Sequence, residues 1–69
     1  AMNDELAAAI RRGLAELPDK LREALEMCEL EGMAYEEIAG IMDCPVGTVR
    51  SRIFRARESL EKVMRPYVG

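Results

Sequence analysis

The sequence contains no histidine and no tryptophan, and its only cysteines are Cys28 and Cys44. Two cysteines without histidine are too few ligands for a structural zinc site, so neither a metal ion nor another cofactor is expected. We expect both thiols to be reduced, with a disulfide between them as the alternative. The lack of histidine and of a glycine-rich phosphate loop also argues against an enzyme.

Long apolar runs are absent too, and no signal peptide is recognisable, so membrane insertion is not expected. The 69 residues are enough for one small domain spanning 1–69, with Ala1-Met2 interpreted as a remnant of cloning. Aromatic residues make up 4% of the chain, whereas Ala, Leu, Met, Glu and Arg are common. This composition predicts an all-α fold.

Start and stop signals divide the chain into four helices. The first begins after Asn3 as N-cap and ends before Pro18, and the second runs from there to a C-terminal cap at Gly32. The third spans residues 35–42, with Ile38, Ile41 and Met42 facing inward, and the fourth runs from about Pro45 to Met64. The short connection Asp43-Cys44-Pro45 makes residues 35–64 a helix-turn-helix, in which Asp43 is expected to adopt a positive φ.

The fourth helix has two contrasting faces. At about 100° per residue, one arc collects an apolar stripe of Val46, Val49, Ile53, Ala56, Leu60 and Val63. The opposite face has Gly47, Ser51, Phe54 and Glu58 at its centre, with Arg50 and Arg55 at its edges. Small residues allow close approach to a DNA major groove, arginine can reach guanine or phosphate, and a ring can meet a thymine methyl.

Charge is distributed unevenly along the chain, although the net charge is −3. Residues 1–43 carry four basic and eleven acidic side chains, a net of −7, whereas residues 44–69 carry six basic and two acidic ones, a net of +4. Because salt screens distant charges within about 10 Å, the basic half can attract phosphates. The pattern predicts a basic DNA face, an acidic back and weak affinity for the isolated domain. An ordinary solvated helix face is the alternative.

Two segments at this spacing resemble a known family. Glu31-Gly32-Met33-Ala34-Tyr35-Glu36-Glu37-Ile38-Ala39, followed by Cys44-Pro45-Val46-Gly47-Thr48-Val49-Arg50-Ser51-Arg52, is similar to region 4 of bacterial RNA polymerase sigma factors. The similarity is to the extracytoplasmic-function group, in particular the sigma-E branch, and covers roughly Leu17 to Leu60. It implies a cytoplasmic bacterial protein that recognises the promoter −35 element as the C-terminal domain of a sigma factor.

The resemblance also implies contacts for individual residues. Base edges would be met by Arg50, Ser51, Phe54 and Arg55, and the DNA backbone by Tyr35, Thr48, Arg52 and Arg57. The earlier helices would hold the flap-tip helix of the polymerase β subunit, a surface that anti-sigma factors often mask. Because methionine adapts well to a partner helix, we assign this docking surface to Leu25, Met27, Leu30 and Met33, with core packing as the alternative.

Three positions depart from the family pattern. Family members usually have Ser at position 34, where it would form a capping box with Glu37, and Ala34 should cost about 1 kcal/mol. An Arg often found at position 28 is Cys28 here, which removes an expected phosphate contact. Asp43 stands where Gly is common.

Two other functions remain open at this point. One is a LuxR-type helix-turn-helix effector domain, which has a similar layout and would bind a palindromic site as a dimer. The other is a helix-binding interaction module without DNA binding. An exposed Met27-Leu30-Met33 patch would also allow the isolated domain to form an oligomer.

Overall fold

A computed structural model describes residues 3–68, so Ala1 and Met2, interpreted above as a cloning remnant, lie outside the described residues. Four α-helices account for most of this range. They are α1 (Asp4–Glu16), α2 (Asp19–Glu29), α3 (Tyr35–Met42) and α4 (Val46–Met64), followed by a single 3₁₀ turn (Arg65–Tyr67). The long α4 packs against each of the other three helices. The all-α prediction and the helix-turn-helix of α3 and α4 are confirmed.

The first corner follows the predicted signals. The side chain of Asn3 caps α1, accepting a hydrogen bond from the Leu6 N–H at 2.6 Å, and Pro18 separates α1 from α2. Arg22 adds a contact that sequence alone does not indicate. Its Nη1 donates to the backbone carbonyls of Leu14 and Leu17 at 3.3 and 3.0 Å. A cation beside the carbonyls at the end of α1 is stabilised by the negative end of the helix dipole, and the Leu14 carbonyl also accepts from the Leu17 N–H.

The segment between α2 and α3 contains Gly32 at φ +66°, the left-handed conformation that glycine adopts without penalty. The capping box predicted to be lost at Ala34 is half present. The Glu37 carboxylate accepts from the Ala34 N–H at 2.9 Å, whereas the methyl group of Ala34 has no oxygen to accept the return bond. Ala34 therefore removes only one of the two capping-box hydrogen bonds, the one that the Glu37 N–H would donate to a side-chain oxygen at position 34.

The turn of the helix-turn-helix depends on Asp43, whose φ of 53° and ψ of 54° confirm the predicted left-handed conformation. The N–H of Asp43 and the N–H of Cys44 both donate to the Ala39 carbonyl. This arrangement ends α3 and directs the chain into Pro45, the N-cap of α4. Aspartate tolerates the conformation better than most residues, though less well than glycine.

The core lies along the inner side of α4. Val49, Ile53 and Ala56 are fully buried there and meet Ile38 and Ala39 of α3 and Ala24 and Leu25 of α2. The outer members of the predicted stripe, Val46, Leu60 and Val63, are only partly buried. Gly13 is buried where α1 crosses α4. A β-carbon at this position would lie 3.0 Å from side-chain atoms of both Leu60 and Val63, so the two helices approach this closely because the residue is glycine.

One predicted inward residue is wrong. Ile41 is 59% exposed, whereas Ile38 is fully buried and Met42 packs at the edge of the core. The inward arc of α3 includes Ile38, Ala39 and Met42, and at about 100° per residue Ile41 falls roughly 110° from its centre. The i, i+3 spacing to Ile38 was therefore a misleading guide.

Candidate nucleic-acid interface

The outward face of α4 is exposed over its first three turns. Gly47, Arg50, Ser51, Phe54 and Arg55 together line a shallow depression of about 320 Å³. Phe54 is 66% exposed, so its ring is available to a partner and does not contribute to the core. The structure thus brings the four predicted base-contacting residues onto one surface.

One flank of this face is formed with α3. The guanidinium of Arg50 lies 5.7 Å from the centroid of the Tyr35 ring, within cation–π range. Tyr35 is itself half-buried and packs against the core. The ring therefore restrains Arg50 from below and leaves its charge at the surface.

The other flank contains Arg52, Thr48 and Arg55. Nη1 of Arg52 lies 3.8 Å from Sδ of Met42 and 3.6 Å from Sγ of Cys44, so the side chain is held over the turn of the helix-turn-helix. Thr48 is half-buried beside it. These residues border a cleft of about 730 Å³ that also includes Lys20 of α2, a cation that the sequence reasoning did not assign.

Arg57 is the exception among the predicted backbone contacts. It lies on the Arg50 side of α4, seven residues further along, where its guanidinium forms an ion pair with Glu29 of α2. Nε of Arg57 donates to the Glu29 carboxylate at 3.1 Å. That hydrogen bond is the main reason why the pKa of Arg57 is raised above its ordinary value, against a smaller opposing effect of burial. Both side chains are about half exposed, at 53% and 49%.

A separate apolar groove of about 470 Å³ runs between α2 and α4. Its apolar lining comprises Leu14, Leu25, Leu30, Leu60 and Met64, and its charged rim comprises Glu26, Glu29, Arg57 and Glu61. Leu30 is 78% exposed, whereas Leu25 is 5% exposed and forms the floor. We call this surface the α2–α4 groove.

The groove includes only part of the predicted docking surface. Leu25 and Leu30 line it, but Met27 and Met33 are partly buried against the core and do not. The exposed Met27-Leu30-Met33 patch is therefore not present as predicted, since Leu30 is exposed but the two methionines are partly buried. Leu14, Leu60 and Met64 were missed, because they come from helices far apart in sequence and no local spacing connects them.

The charges of the outward face have few internal partners. Among residues 3–68, the salt bridges join Arg22 to Asp19, Arg57 to Glu29 and Arg65 to Glu61, and none involves Arg50, Arg52 or Arg55. The described part of the chain contains no cluster of three side chains suited to a metal ion. It also contains no helix with the length and apolar character needed to cross a bilayer.

Comparison with known proteins adds a family match. Residues 7–60 match the sequence profile described as Sigma-70, region 4. The chain is 52% identical over 65 residues to the RNA polymerase sigma-H factor of Pseudomonas aeruginosa, and the aligned region covers 94% of this chain and 34% of that protein. It is 52% identical over 67 residues to the ECF RNA polymerase sigma-E factor of Escherichia coli K12, and this aligned region covers 97% of this chain and 35% of that protein. The chain thus spans about a third of the length of the curated relatives it matches.

Proposed function

The chain belongs to the sigma-70 region 4 family, and we propose that it recognises the −35 element of bacterial promoters as the C-terminal domain of a cytoplasmic sigma factor. The observation that carries this proposal is the outward face of α4. It combines small residues at the centre, exposed arginines at the edges and an exposed ring. The role is one of binding during transcription initiation and not of catalysis. Family membership sets aside the LuxR-type alternative.

Base recognition is assigned to the centre of the face. Arginine can donate two hydrogen bonds to the O6 and N7 atoms of guanine, and we assign this role to Arg50 and Arg55. Gly47 and Ser51 are small enough for α4 to lie deep in the major groove, and Phe54 can contact a thymine methyl. The cation–π contact with Tyr35 supports Arg50 in particular, because a restrained side chain loses less conformational entropy on binding.

Backbone contacts are assigned to the flanks, where they would fix the register of α4 on the duplex. Thr48 and Arg52 lie on one flank and Tyr35 on the other. Arg57 would reach a phosphate only by giving up its ion pair with Glu29, an exposed pair of a type that contributes about 0–1 kcal/mol. We therefore treat Arg57 as a conditional contact.

Polymerase docking is assigned to the α2–α4 groove. An open apolar channel between two helices suits the apolar face of a partner helix, and the flap-tip helix of the polymerase β subunit is the occupant we propose. The carboxylates of Glu26, Glu29 and Glu61 at the rim would favour basic residues beside that apolar face. An anti-sigma factor would act by covering the same groove.

Fluorescence anisotropy with two duplexes tests DNA recognition directly. One duplex carries a sigma-E-like −35 element with a GGAAC core, and the other carries the same bases scrambled. We expect the chain to prefer the first, and Arg55→Ala to cost about 1–3 kcal/mol and relax preference at one base pair. Loss of affinity for both duplexes in equal measure would reduce Arg55 to a phosphate contact. Equal binding of both duplexes by the unmodified chain would refute specific recognition.

Arg12→Ala is the matched control for Arg55→Ala. Arg12 is exposed and adjoins Gly13, which packs against Leu60 and Val63. Arg12 lines neither the depression on the outward face of α4 nor the cleft beside it. Because Arg12 is exposed, is screened by salt and is absent from both surfaces that we assign to DNA, loss of its charge should leave both affinity and preference unchanged.

A further inference from the structure

A cleft beside the base-contacting face brings together cations from two parts of the chain. Lys20 of α2 and Thr48, Ser51, Arg52 and Arg55 of α4 all line it. Lys20 lies outside the helix-turn-helix and 28 positions before Thr48 in the sequence, so no motif connects it with the DNA face. Folding places it next to two residues assigned to base edges and two assigned to the backbone.

The cleft is strongly cationic because its lining contains Lys20, Arg52 and Arg55 but no carboxylate. The nearest acid in sequence, Asp19, accepts a hydrogen bond from Arg22 at 2.5 Å. Arg22 in turn donates to the carbonyls of Leu14 and Leu17. This chain of contacts directs Asp19 toward the α1–α2 corner, and within residues 3–68 Lys20 takes part in no salt bridge.

A helix in the major groove has a phosphate backbone on each side of it, because the groove is about 12 Å wide and an α-helix with side chains has a similar diameter. Tyr35 and Arg50 flank α4 on one side. On the other side Arg52 is held back over Met42 and Cys44, so its reach is limited. Lys20, which is exposed and belongs to α2, adds a further positive charge on the Arg52 side of α4.

We propose that Lys20 binds a DNA backbone phosphate on the Arg52 side of α4 and so extends the DNA-binding surface to α2. The inference rests on the proposed promoter recognition and assigns a contact within it. A lysine ammonium suits this role as a flexible point charge that does not need a fixed geometry. The contact contributes affinity and register without reading sequence.

Salt-dependent binding tests the assignment. Dissociation constants of the unmodified chain, Lys20→Ala and Arg12→Ala are measured with the −35 and scrambled duplexes at several salt concentrations. Each phosphate contact contributes about 0.9 to the slope of log K against log salt. We expect Lys20→Ala to reduce the slope by about 0.9, to weaken binding roughly 3- to 10-fold at low salt, and to leave the ratio between the duplexes unchanged. Arg12→Ala should change none of these.

Replacing single DNA phosphates by uncharged groups should show which phosphate Lys20 contacts. Single methylphosphonates are introduced along the −35 duplex, and each is measured with the unmodified chain and with Lys20→Ala. One position should weaken the unmodified chain but not Lys20→Ala, since the contact is already absent from that variant. Lys20→Arg should restore the slope, and circular dichroism should show the same helix content in every variant because Lys20 is exposed.

The outcomes separate the two proposals. An unchanged slope in Lys20→Ala, together with a preserved −35 preference, overturns the Lys20 contact and leaves promoter recognition intact. A changed duplex ratio in Lys20→Ala also overturns it as stated, because Lys20 would then contribute to base reading. Absence of preference in the unmodified chain overturns promoter recognition itself, whatever Lys20 does to the slope.

Discussion

The two surfaces built on α4 are opposite in chemistry. The depression on the outward face is lined by glycine, serine, arginine and one exposed ring, and by no carboxylate. The α2–α4 groove combines leucine and methionine with three glutamates at its rim. A polyanion is attracted to the first surface and repelled by the second, and the reverse holds for a basic amphipathic helix. α4 therefore offers separate surfaces to the DNA and the protein partner that we propose.

The surfaces share one support. Val49, Ile53 and Ala56 lie between them and pack against α2 and α3, so neither surface exists without the same small core. They also share one contact at the surface, the Arg57–Glu29 ion pair, since both residues line the groove while Arg57 follows Arg50 along the DNA flank. Separation of function thus depends on residues that affect only one side.

Ile53→Ala should damage both surfaces together and is the largest effect we expect. Ile53 is 1% exposed, and removal of its buried side chain should lower the free energy of unfolding by about 2–5 kcal/mol. Thermal or denaturant unfolding followed by circular dichroism measures this change. Ile41→Ala is the control, because Ile41 is exposed and its truncation should cost less than about 0.5 kcal/mol. Comparable losses in the two variants would contradict the burial on which the fold depends.

Leu30→Glu should separate the two surfaces. Leu30 is 78% exposed, so the substitution should leave folding and DNA affinity unchanged while placing a charge in the α2–α4 groove. We expect binding of a synthetic β-flap helix, measured by calorimetry, to weaken at least 10-fold, or about 1.4 kcal/mol. Ile41→Glu offers a control with the same exposed charge outside the groove. Flap binding that survives Leu30→Glu would remove the groove from the proposed docking site.

Local signals predicted most of the fold from sequence. Asn3, Pro18 and Pro45 act within a few residues of themselves, and the helix boundaries that they predict agree with the structure. The C-terminal cap predicted at Gly32 lies two residues too late, because α2 ends at Glu29 with Leu30 as its C-cap. The left-handed Asp43 was also predictable, because a three-residue connection between two helices requires such a residue. The outward face of α4 followed from a single helical period. Features that depend on one element alone are therefore accessible to sequence reasoning.

Features that depend on two elements were not accessible. The groove lining joins Leu14, Leu25 and Leu60 from three helices, and no spacing in the chain indicates that they meet. Lys20 reaches the cationic cleft beside the outward face of α4 for the same reason. The pairing of Arg57 with Glu29 spans 28 positions and changes the interpretation of an arginine that the family resemblance assigns to the DNA backbone. Relative placement of helices, and not their existence, was the missing information.

Ala34→Ser concerns the entry to the helix-turn-helix and should stabilise it. Glu37 already accepts from the Ala34 N–H, so a serine hydroxyl would complete the capping box by accepting from the backbone at position 37. We expect the free energy of unfolding to rise by about 0.5–1 kcal/mol, with DNA preference unchanged. Ala34→Val, which adds volume but no acceptor, is the control because valine is as poor an N-cap as alanine. No gain from serine over the unmodified chain would mean that the half box already satisfies this end of α3.

Glu29→Gln should produce the smallest change and acts where the two surfaces meet. The substitution keeps the size of the side chain but removes the charge that holds Arg57. The hydrogen bond to Glu29 raises the pKa of Arg57, but the guanidinium stays charged at ordinary pH without it, so salt is the informative variable. If Arg57 is a conditional phosphate contact, DNA affinity should rise about 2- to 5-fold at low salt, and the slope of log K against log salt should become steeper. The free energy of unfolding should fall by at most about 1 kcal/mol, because the ion pair is exposed. Glu61→Gln, which removes another rim carboxylate, should leave DNA affinity unchanged. Unaltered DNA binding in Glu29→Gln would assign Arg57 to the α2–α4 groove alone. Increased DNA binding would mean that Glu29 holds Arg57 away from DNA, so that a partner bound to Glu29 in the groove could release Arg57 to a phosphate.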